Sequence, residues 1–276
     1  MSIAETPAGS QSAAATDARP AGRRGTIFSP WLLVLVGQAG LTIGFFAIWE
    51  ALIRFGFLKV YLYGQPSGII QKFWTLLVDG SLIADTAITA FESLLGFAIG
   101  SFLGSLIGLA LWLTPTLAAI LRPFIVAING LPKIALAPLI IVWFGIDIES
   151  KVAIAAIITF IVSLMTAYSG AMEVDADLVR LMRSLGATPR QTFFKVVVPS
   201  TMPWIVSGLR LNVGFALIGA VVGEYIAAKK GLGFLVYYSG TLYDLNAVWV
   251  GLFMLMAVAL VLDYLVTLIE RRYRWT

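Results

Sequence analysis

The chain has 276 residues, of which 59% are hydrophobic and only 12% are charged, and its mean hydropathy is +0.92. Soluble proteins carry about a quarter charged residues, so this composition predicts an integral membrane protein. The chain contains no cysteine and no histidine, which excludes disulfides, thiolate or imidazole metal sites, and nucleophilic catalysis with a histidine base. We therefore expect a protein that is not an enzyme and has no resident metal or cofactor.

The positive charge of the chain, +4 overall, lies mainly at the ends of apolar runs. This pattern is typical of membrane topology and not of a nucleic-acid surface. Residues 1–30 are rich in Ala, Gly, Ser and Thr and are predicted to be a disordered cytoplasmic tail. Arg23 and Arg24 are compatible with a secretory or twin-arginine signal, but the run from Trp31 to Ile53 is too long for one, so we favour a retained first span.

Six stretches are apolar and long enough to cross a bilayer, which requires about 20 residues. Six crossings place both termini on the same side, and the basic residues near the C-terminus indicate that this side is the cytoplasm. We divide the chain into a tail (1–30), a first transmembrane helix (31–55), an outer segment (56–86), a membrane core (87–269) and a basic tail (270–276). The predicted spans are 31–53, 87–113, 121–146, 151–171, 204–228 and 247–269, which gives an all-α fold.

The outer segment contains apolar residues at helical spacing after Pro66 and Ser67. This pattern predicts a short amphipathic helix on the outer surface, and we favour membrane anchoring over a ligand role for it. Its apolar residues are Ile69, Ile70, Phe73, Leu76 and Leu77.

The third span is interrupted by prolines and a glycine. Backbone groups freed by such breaks are tolerated at membrane depth only against protein or a water-filled cavity, so we expect this broken helix in the core of the bundle or beside a pathway. The interrupting residues are Pro123, Gly130, Pro132 and Pro138.

A polar stretch between the fourth and fifth spans, residues 173–203, predicts a structured hairpin on the cytoplasmic side. Gly186 follows a helical pattern and is expected to end that helix. Thr188, Pro189 and Gln191 then supply an N-cap, a first-turn proline and a capping-box glutamine for a second short helix, which Pro199 is expected to end. The basic residues that favour a cytoplasmic position are Arg180, Arg183, Arg190 and Lys195.

This hairpin resembles the EAA loop in the membrane subunits of binding-protein-dependent ABC importers. Gly186 and Pro199 keep the motif spacing of thirteen positions, with Val196 and Val198 in its apolar places. Residues 180–182, Arg-Leu-Met, stand where the motif has Glu-Ala-Ala, so the role of the motif glutamate does not carry over. Residues 131–152 and 223–236 further resemble the nitrate, sulfonate and taurine branch of the family.

The resemblance implies a type I importer core of five helices, preceded here by one more, in a bacterial inner membrane. The implied partners are a second permease copy, a cytosolic ATPase dimer that binds the ATP, and an external substrate-binding protein. The chain itself has no phosphate-binding loop, because Lys229 to Gly233 lacks the required spacing. The implied coupling residues are Arg183, Gly186, Thr188, Pro189, Gln191 and Pro199. Taken singly, Gly186, Pro189 and Pro199 are also residues that commonly begin or end a helix.

Ionisable residues within spans are costly and are therefore candidates for a pathway or an internal pair. Lys133 follows the helix break and either faces an anionic substrate or reaches the cytoplasmic interface. Glu224 contacts substrate or pairs with Lys229 and Lys230, and Glu92 is expected to have an internal partner. The candidate pathway residues are Lys133, Asn129, Asn212 and Glu224, although the two asparagines equally suit hydrogen bonds between helices.

The substrate is not determined by these patterns. The branch resemblance favours a small anion such as a sulfonate, taurine or nitrate, and a heterocyclic vitamin precursor is the alternative. A secondary transporter independent of ATP would also be an apolar bundle with a broken helix, but it would have no need for the capped hairpin. Whether the second permease copy is identical also stays open.

Overall fold

The computed structural model describes residues 30–273, and their regular structure is entirely helical. The described chain divides into two units between residues 47 and 48, inside the first helix. The predicted tail up to residue 29 and Arg274 lie outside the described residues. The helices are α1 Pro30–Arg54, α2 Val60–Tyr63, α3 Pro66–Val78, α4 Ser81–Ala110, α5 Pro115–Gly130, α6 Ala137–Phe144, α7 Ile148–Met172, α8 Ala176–Ser184, α9 Pro189–Thr192, α10 Val198–Ala227, α11 Leu232–Thr241 and α12 Leu245–Tyr273.

Five helical stretches of the described chain are long and apolar enough to cross a membrane, and a broken pair can supply a sixth crossing. That pair is Pro115–Gly130 and Lys133–Phe144, which meet at an angle of 90°. The all-helical fold and the broken third span are thus as predicted. The five continuous stretches are Leu33–Arg54, Ser81–Leu113, Ile148–Met172, Pro189–Ala227 and Leu245–Leu268.

The second span begins at Ser81, six positions before the predicted start at residue 87. Asp85 and Thr86 interrupt the apolar residues of its first turns, so hydropathy alone does not mark its start. The carboxylate of Asp79 accepts hydrogen bonds from the backbone N–H of Ser81 at 2.8 Å and from its hydroxyl at 2.6 Å. Gly80 takes a positive φ of +80° that reverses the chain after α3.

The centre of the 48–276 unit is the contact between α4 and α7. Four glycines of α4 recur every fourth residue and form one face that lies directly on α7. A methyl group added to any of them would overlap α7: at Gly104, for example, it would meet the carbonyl oxygen of Phe160. Glycine at these positions lets the two backbones approach closely, as is common between membrane helices. The four glycines are Gly96, Gly100, Gly104 and Gly108.

The helix α10 packs on α4 and α7 through small residues and one side-chain amide. Gly219 of α10 lies on the backbone of Ala155 in α7. Asn212 is fully buried, and its Nδ2 donates to the hydroxyls of Ser101 in α4 at 2.9 Å and Ser163 in α7 at 2.5 Å. The amide therefore joins three helices, which is the interhelical use expected from sequence.

The predicted amphipathic helix of the outer segment is α3. Part of its apolar face covers other parts of the protein: Ile69 is buried in one cluster with Leu82 of α4 and Val250 of α12, and Phe73 packs against that cluster. Membrane anchoring stays a prediction for the apolar side chains that remain exposed. An ion pair of 2.7 Å between Lys72 of α3 and Asp244, which precedes α12, also joins α3 to the rest of the protein. Exposed side chains remain at Ile70, Trp74 and Val78.

We predict that Gly104→Ala destabilises the folded protein, because the new methyl group would overlap the carbonyl of Phe160 and force α4 away from α7. Overpacking of this kind typically costs about 1–3 kcal/mol. The measurement is thermal unfolding of the detergent-solubilised protein, followed by size-exclusion chromatography.

The matched control is Gly214→Ala, since an added methyl group there meets no atom within 4 Å. Alanine is the better helix former by about 1 kcal/mol, so this variant should be as stable as the wild type or more so. Equal thermal stability of the Gly104 and Gly214 variants would contradict the proposed packing role.

Candidate functional site

The first arm of the hairpin is α8, and both of its ends are capped. Asp175 accepts a hydrogen bond from the N–H of Asp177 at 2.8 Å, and Gly186 follows the helix with φ +75°. The N–H groups of Gly186 and Ala187 bond back to the carbonyls of Arg183 and Met182, each at 3.0 Å. This pattern is a Schellman motif, and the predicted helix end at Gly186 is confirmed.

The second arm starts with the capping box predicted from sequence. The Thr188 N–H donates to Oε1 of Gln191 at 2.8 Å, and the Gln191 N–H donates to the Thr188 hydroxyl at 3.3 Å. Pro189 occupies the first turn, where its missing N–H costs nothing. The corner between the arms therefore has its backbone groups satisfied and its geometry fixed.

The second arm does not end at Pro199, so the predicted short helix is wrong. A π-helical turn at Phe193–Val197 leads directly into α10, and the helix runs without a break from Pro189 to Ala227 over 39 residues. A proline in an α-helix clashes with the carbonyl four residues earlier, and the wider π turn relieves such crowding. Burial of Phe193 and Val197 against α4 and α7 holds the helix through this point.

An apolar face on α8 was not recognised in the sequence. The side chains of Leu178, Leu181 and Leu185 are 45%, 55% and 73% exposed. Their spacing of three and four residues places them on one side of the helix. Phe194 of the second arm is also 67% exposed. Large apolar side chains on a polar hairpin indicate a surface that contacts another protein.

Two cavities lie between the hairpin and the membrane helices. The first, about 580 Å³, is lined among others by Arg122 of α5, Tyr168 of α7 and Arg183 of α8. The second, about 400 Å³, shares Arg122, Tyr168 and Met172 with the first, so the two adjoin. Arg122 was missing from the predicted pathway residues, although a charged residue within an apolar run was a usable signal.

Lys133 and Asn129 lie together at the break between α5 and α6. The Lys133 ammonium donates to the backbone and side-chain oxygens of Asn129, both at 3.3 Å. Asn129 is exposed, and the bonds that the structure shows for it lie within its own segment. The break lies about 24 Å along α5 from Pro115, which lines a cavity beside the hairpin. Whether the Lys133 ammonium faces an anionic substrate or the cytoplasmic interface stays a prediction.

Glu224 is buried near the opposite end of the bundle from the hairpin. It accepts hydrogen bonds from the Thr89 hydroxyl and from the N–H of Gly233, both at 2.6 Å. The Thr89 hydroxyl in turn accepts a hydrogen bond from the N–H of Leu232 at 2.8 Å. The predicted pairing with Lys229 and Lys230 is therefore wrong: both lysines are exposed, while Glu224 and Thr89 cap the first turn of α11.

Lys151 is a buried cation that was missed because it stands at the start of an apolar run. Its ammonium donates to the carbonyls of Ala227 at 2.7 Å and Asp147 at 3.0 Å, and to that of Ile146. It thereby binds the end of α10 to the turn before α7. Glu92 is also buried, and its Oε2 has no hydrogen-bond partner among the described residues, so the internal partner expected for it stays a prediction.

Comparison with known proteins gives a consistent result. A family model described as "Binding-protein-dependent transport system inner membrane component" matches residues 96–275. The putative aliphatic sulfonates transport permease SsuC of Escherichia coli is 31% identical over 246 residues, covering 89% of this chain and 93% of the relative. The formylaminopyrimidine transport permease ThiX of Halalkalibacterium halodurans is 35% identical over 210 residues, with coverage of 75% and 82%.

Two further proteins support the same grouping. The taurine transport permease TauC of Escherichia coli is 28% identical over 251 residues, covering 88% of this chain and 91% of the relative. Among solved structures, an inward-facing conformation of the MetNI methionine ABC transporter aligns with a TM-score of 0.59 and 18% identity, over 74% of this chain and 99% of that one. The latter likeness shows the fold, that of a type I importer permease.

We predict that Lys151→Met lowers the stability of the protein strongly. The carbonyls of Ala227, Asp147 and Ile146 would lose their donor, and each buried carbonyl left unpaired costs about 1–3 kcal/mol. Thermal unfolding in detergent should show this loss, whereas Lys229→Met, at an exposed lysine near the same end of α10, should leave the transition unchanged. Similar transitions for the two variants would show that Lys151 is not a structural cation.

Proposed function

Because this chain belongs to the family of binding-protein-dependent transport system inner membrane components, we propose that it forms half of a translocation pathway and couples to a partner ATPase through hairpin 173–203. Members of the family are multi-pass membrane permeases and not enzymes. They carry no cofactor, and the ATP is used by the partner ATPase. A substrate-binding protein is the other partner that family membership implies.

The observation that carries the coupling proposal is the rigid corner at residues 184–191, joined to a continuous helix. The Schellman motif and the capping box fix the angle between α8 and the second arm. The second arm is continuous with the span that ends at Ala227. A force applied to α8 would therefore tilt the whole of Pro189–Ala227 as one body, which is a common way to alternate access across a membrane.

The exposed leucine face of α8 is the proposed contact with the ATPase. Leu181 and Leu185 lie one turn apart and point away from the rest of the described chain. Two aliphatic side chains presented on a basic hairpin suit a groove on a soluble partner, since apolar groups in the centre of an interface supply most of its binding free energy. The arginine at position 180 pairs with Asp177 at 2.7 Å and contributes to the fold of α8 itself.

A second permease copy would cover the broken helix. In the described chain, α5 and α6 leave many apolar side chains exposed. Irregular backbone at membrane depth must lie against protein or a cavity, and a symmetric second copy would provide both. We propose a homodimer in the bacterial inner membrane with both termini in the cytoplasm. The exposed residues are Phe124, Val126, Ile128, Leu139, Val142 and Trp143.

The proposed substrate is a small sulfonate. Two relatives named for sulfonate and taurine transport match nearly the whole chain, and the cavity beside the hairpin is lined by two arginines. A heterocyclic vitamin precursor is the second candidate, favoured by the 35% identity with the formylaminopyrimidine permease. Family membership argues against the secondary transporter.

Uptake by the complete transporter tests the substrate. The permease, its ATPase and its binding protein would be reconstituted in proteoliposomes that contain ATP. Accumulation of labelled taurine, blocked by excess methanesulfonate and unaffected by formylaminopyrimidine, supports the sulfonate proposal. Accumulation of labelled formylaminopyrimidine, unaffected by methanesulfonate and without accumulation of taurine, identifies the heterocyclic precursor as the substrate.

We predict that the double variant Leu181→Ser, Leu185→Ser no longer co-purifies with the ATPase in mild detergent, because the apolar part of the contact is removed. The permease itself should remain folded, since both side chains are exposed. Ser184→Ala is the matched control, an exposed position on the same helix, and should retain the ATPase. Normal recovery of the ATPase with the double variant would contradict the proposed contact.

We predict that Gly186→Val uncouples ATP hydrolysis from transport. At φ +75° a branched residue is strained, and since an added Cβ meets nothing within 4 Å, the effect acts through the backbone of the corner. The ratio of substrate transported to ATP hydrolysed in proteoliposomes should fall several-fold.

Gly56→Val is the control for this prediction, because Gly56 has a similar φ of +79° and similarly open surroundings in the turn after α1. It should keep the normal transport-to-hydrolysis ratio. Equal ratios for the two variants would argue against a coupling role of the corner.

A further inference from the structure

We propose that Arg122 and Arg183 form a binding site for the charged group of a small organic oxyanion, such as a sulfonate, at the inner mouth of the pathway. This inference rests on the proposed function and assigns residues of this chain to the cargo. Neither arginine belongs to a pattern that the sequence analysis connected with substrate.

The site lies where the membrane helices meet the hairpin. Arg122 is in the second turn of α5, about 10 Å along the helix from Pro115. Arg183 is in the last turn of α8. Both line the cavity of about 580 Å³, so a bound molecule there would contact the membrane bundle and the coupling hairpin together.

Both guanidinium groups are available to a ligand. Among the side chains that the structure describes, neither arginine takes part in an ion pair, although Arg54, Arg180 and Arg210 do. The larger cavity has no acidic lining residue. Glu173 lines the smaller one, but it is not paired with Arg122. A charged side chain in a span without a partner is a functional residue by default.

The chemistry of the lining fits an anion with a short apolar tail. A guanidinium presents a planar fork of donors that matches two oxygens of a sulfonate or a similar oxyanion. The Tyr168 hydroxyl can add a further donor, while Trp112, Met172 and Val179 supply apolar wall. The smaller cavity extends from Arg122 toward Val126, one helical turn further along α5, and Met165 of α7, so the space open to a ligand is larger than the first cavity alone.

The absence of cysteine from the chain permits a direct test of the site. Ser169, exposed and lining the smaller cavity beside Tyr168, would be changed to Cys as the single thiol of the protein. Its reaction rates with a sulfonate-bearing methanethiosulfonate reagent and with a trimethylammonium analogue would be measured on the full-length permease in phosphatidylcholine vesicles. The ratio of the two rates reports the local potential.

We expect Arg122→Gln to lower the anion-to-cation rate ratio about tenfold, the size of effect that loss of one nearby charge produces in a partly hydrated cavity. Arg122→Lys should restore most of the ratio, because the charge is kept. Arg183→Gln should act in the same direction. The matched controls are Arg54→Gln, at an arginine remote from both cavities, and Arg190→Gln, on the hairpin but lining neither; both should leave the ratio unchanged.

Protection experiments identify the bound group. Methanesulfonate should slow labelling of the Ser169→Cys protein, and dimethyl sulfone, which is of similar size but neutral, should not. Protection should disappear with Arg122→Gln. An unchanged rate ratio in Arg122→Gln, or equal protection by the two compounds, would overturn the proposal. Protection that requires phosphatidylglycerol in the vesicles, and not methanesulfonate, would also overturn it in favour of a lipid headgroup.

The outcome can be separated from that of the proposed function. Selective protection by methanesulfonate in a permease whose reconstituted complex does not import taurine would support the anion site and refute the proposed cargo. Uptake of taurine that is unaffected by Arg122→Gln would refute the site and leave the proposed function intact.

Discussion

The contact between the glycine face of α4 and the backbone of α7 is the constraint on which the other interactions depend. Between helices in lipid there is little hydrophobic driving force, so close packing and interhelical hydrogen bonds must stabilise the bundle. The same close approach brings Ser101 and Ser163 to the amide of Asn212. It also positions Thr89, on the same side of α4, to bond Glu224. A wider spacing would break these polar contacts along with the packing.

Polar groups inside the bundle mainly serve the ends of helices. Lys151 donates a hydrogen bond to the carbonyl at the end of α10. Glu224 and Thr89 accept hydrogen bonds from the N–H groups at the start of α11. Without water, each of these backbone groups would otherwise be unsatisfied. Glu224 and Lys151, at the end of the bundle away from the hairpin, are therefore structural, whereas Arg122 and Arg183, which have no ion pair among the described residues, lie at the hairpin end.

The hairpin combines a local structure with a tertiary one. Its corner depends on residues within six positions of one another, since Gly186 ends the first helix and Thr188 and Gln191 start the second. The length of the second arm depends on the packing of Phe193 and Val197 against helices distant in sequence. The resulting unit joins a stiff corner to a complete span, and this continuity makes coupling by tilting physically reasonable.

The sequence by itself determined the membrane class, the all-helical fold, the broken third span and the caps of the hairpin, because hydropathy and capping act over a few residues. The tertiary structure decided that the helix passes through Pro199, that α3 docks on protein, and that Glu224 bonds Thr89 and not the neighbouring lysines. It alone placed Arg122 and Arg183 on one cavity. These outcomes depend on which helices pack together. The side chains involved are far apart in the sequence, so no local pattern predicts that they meet.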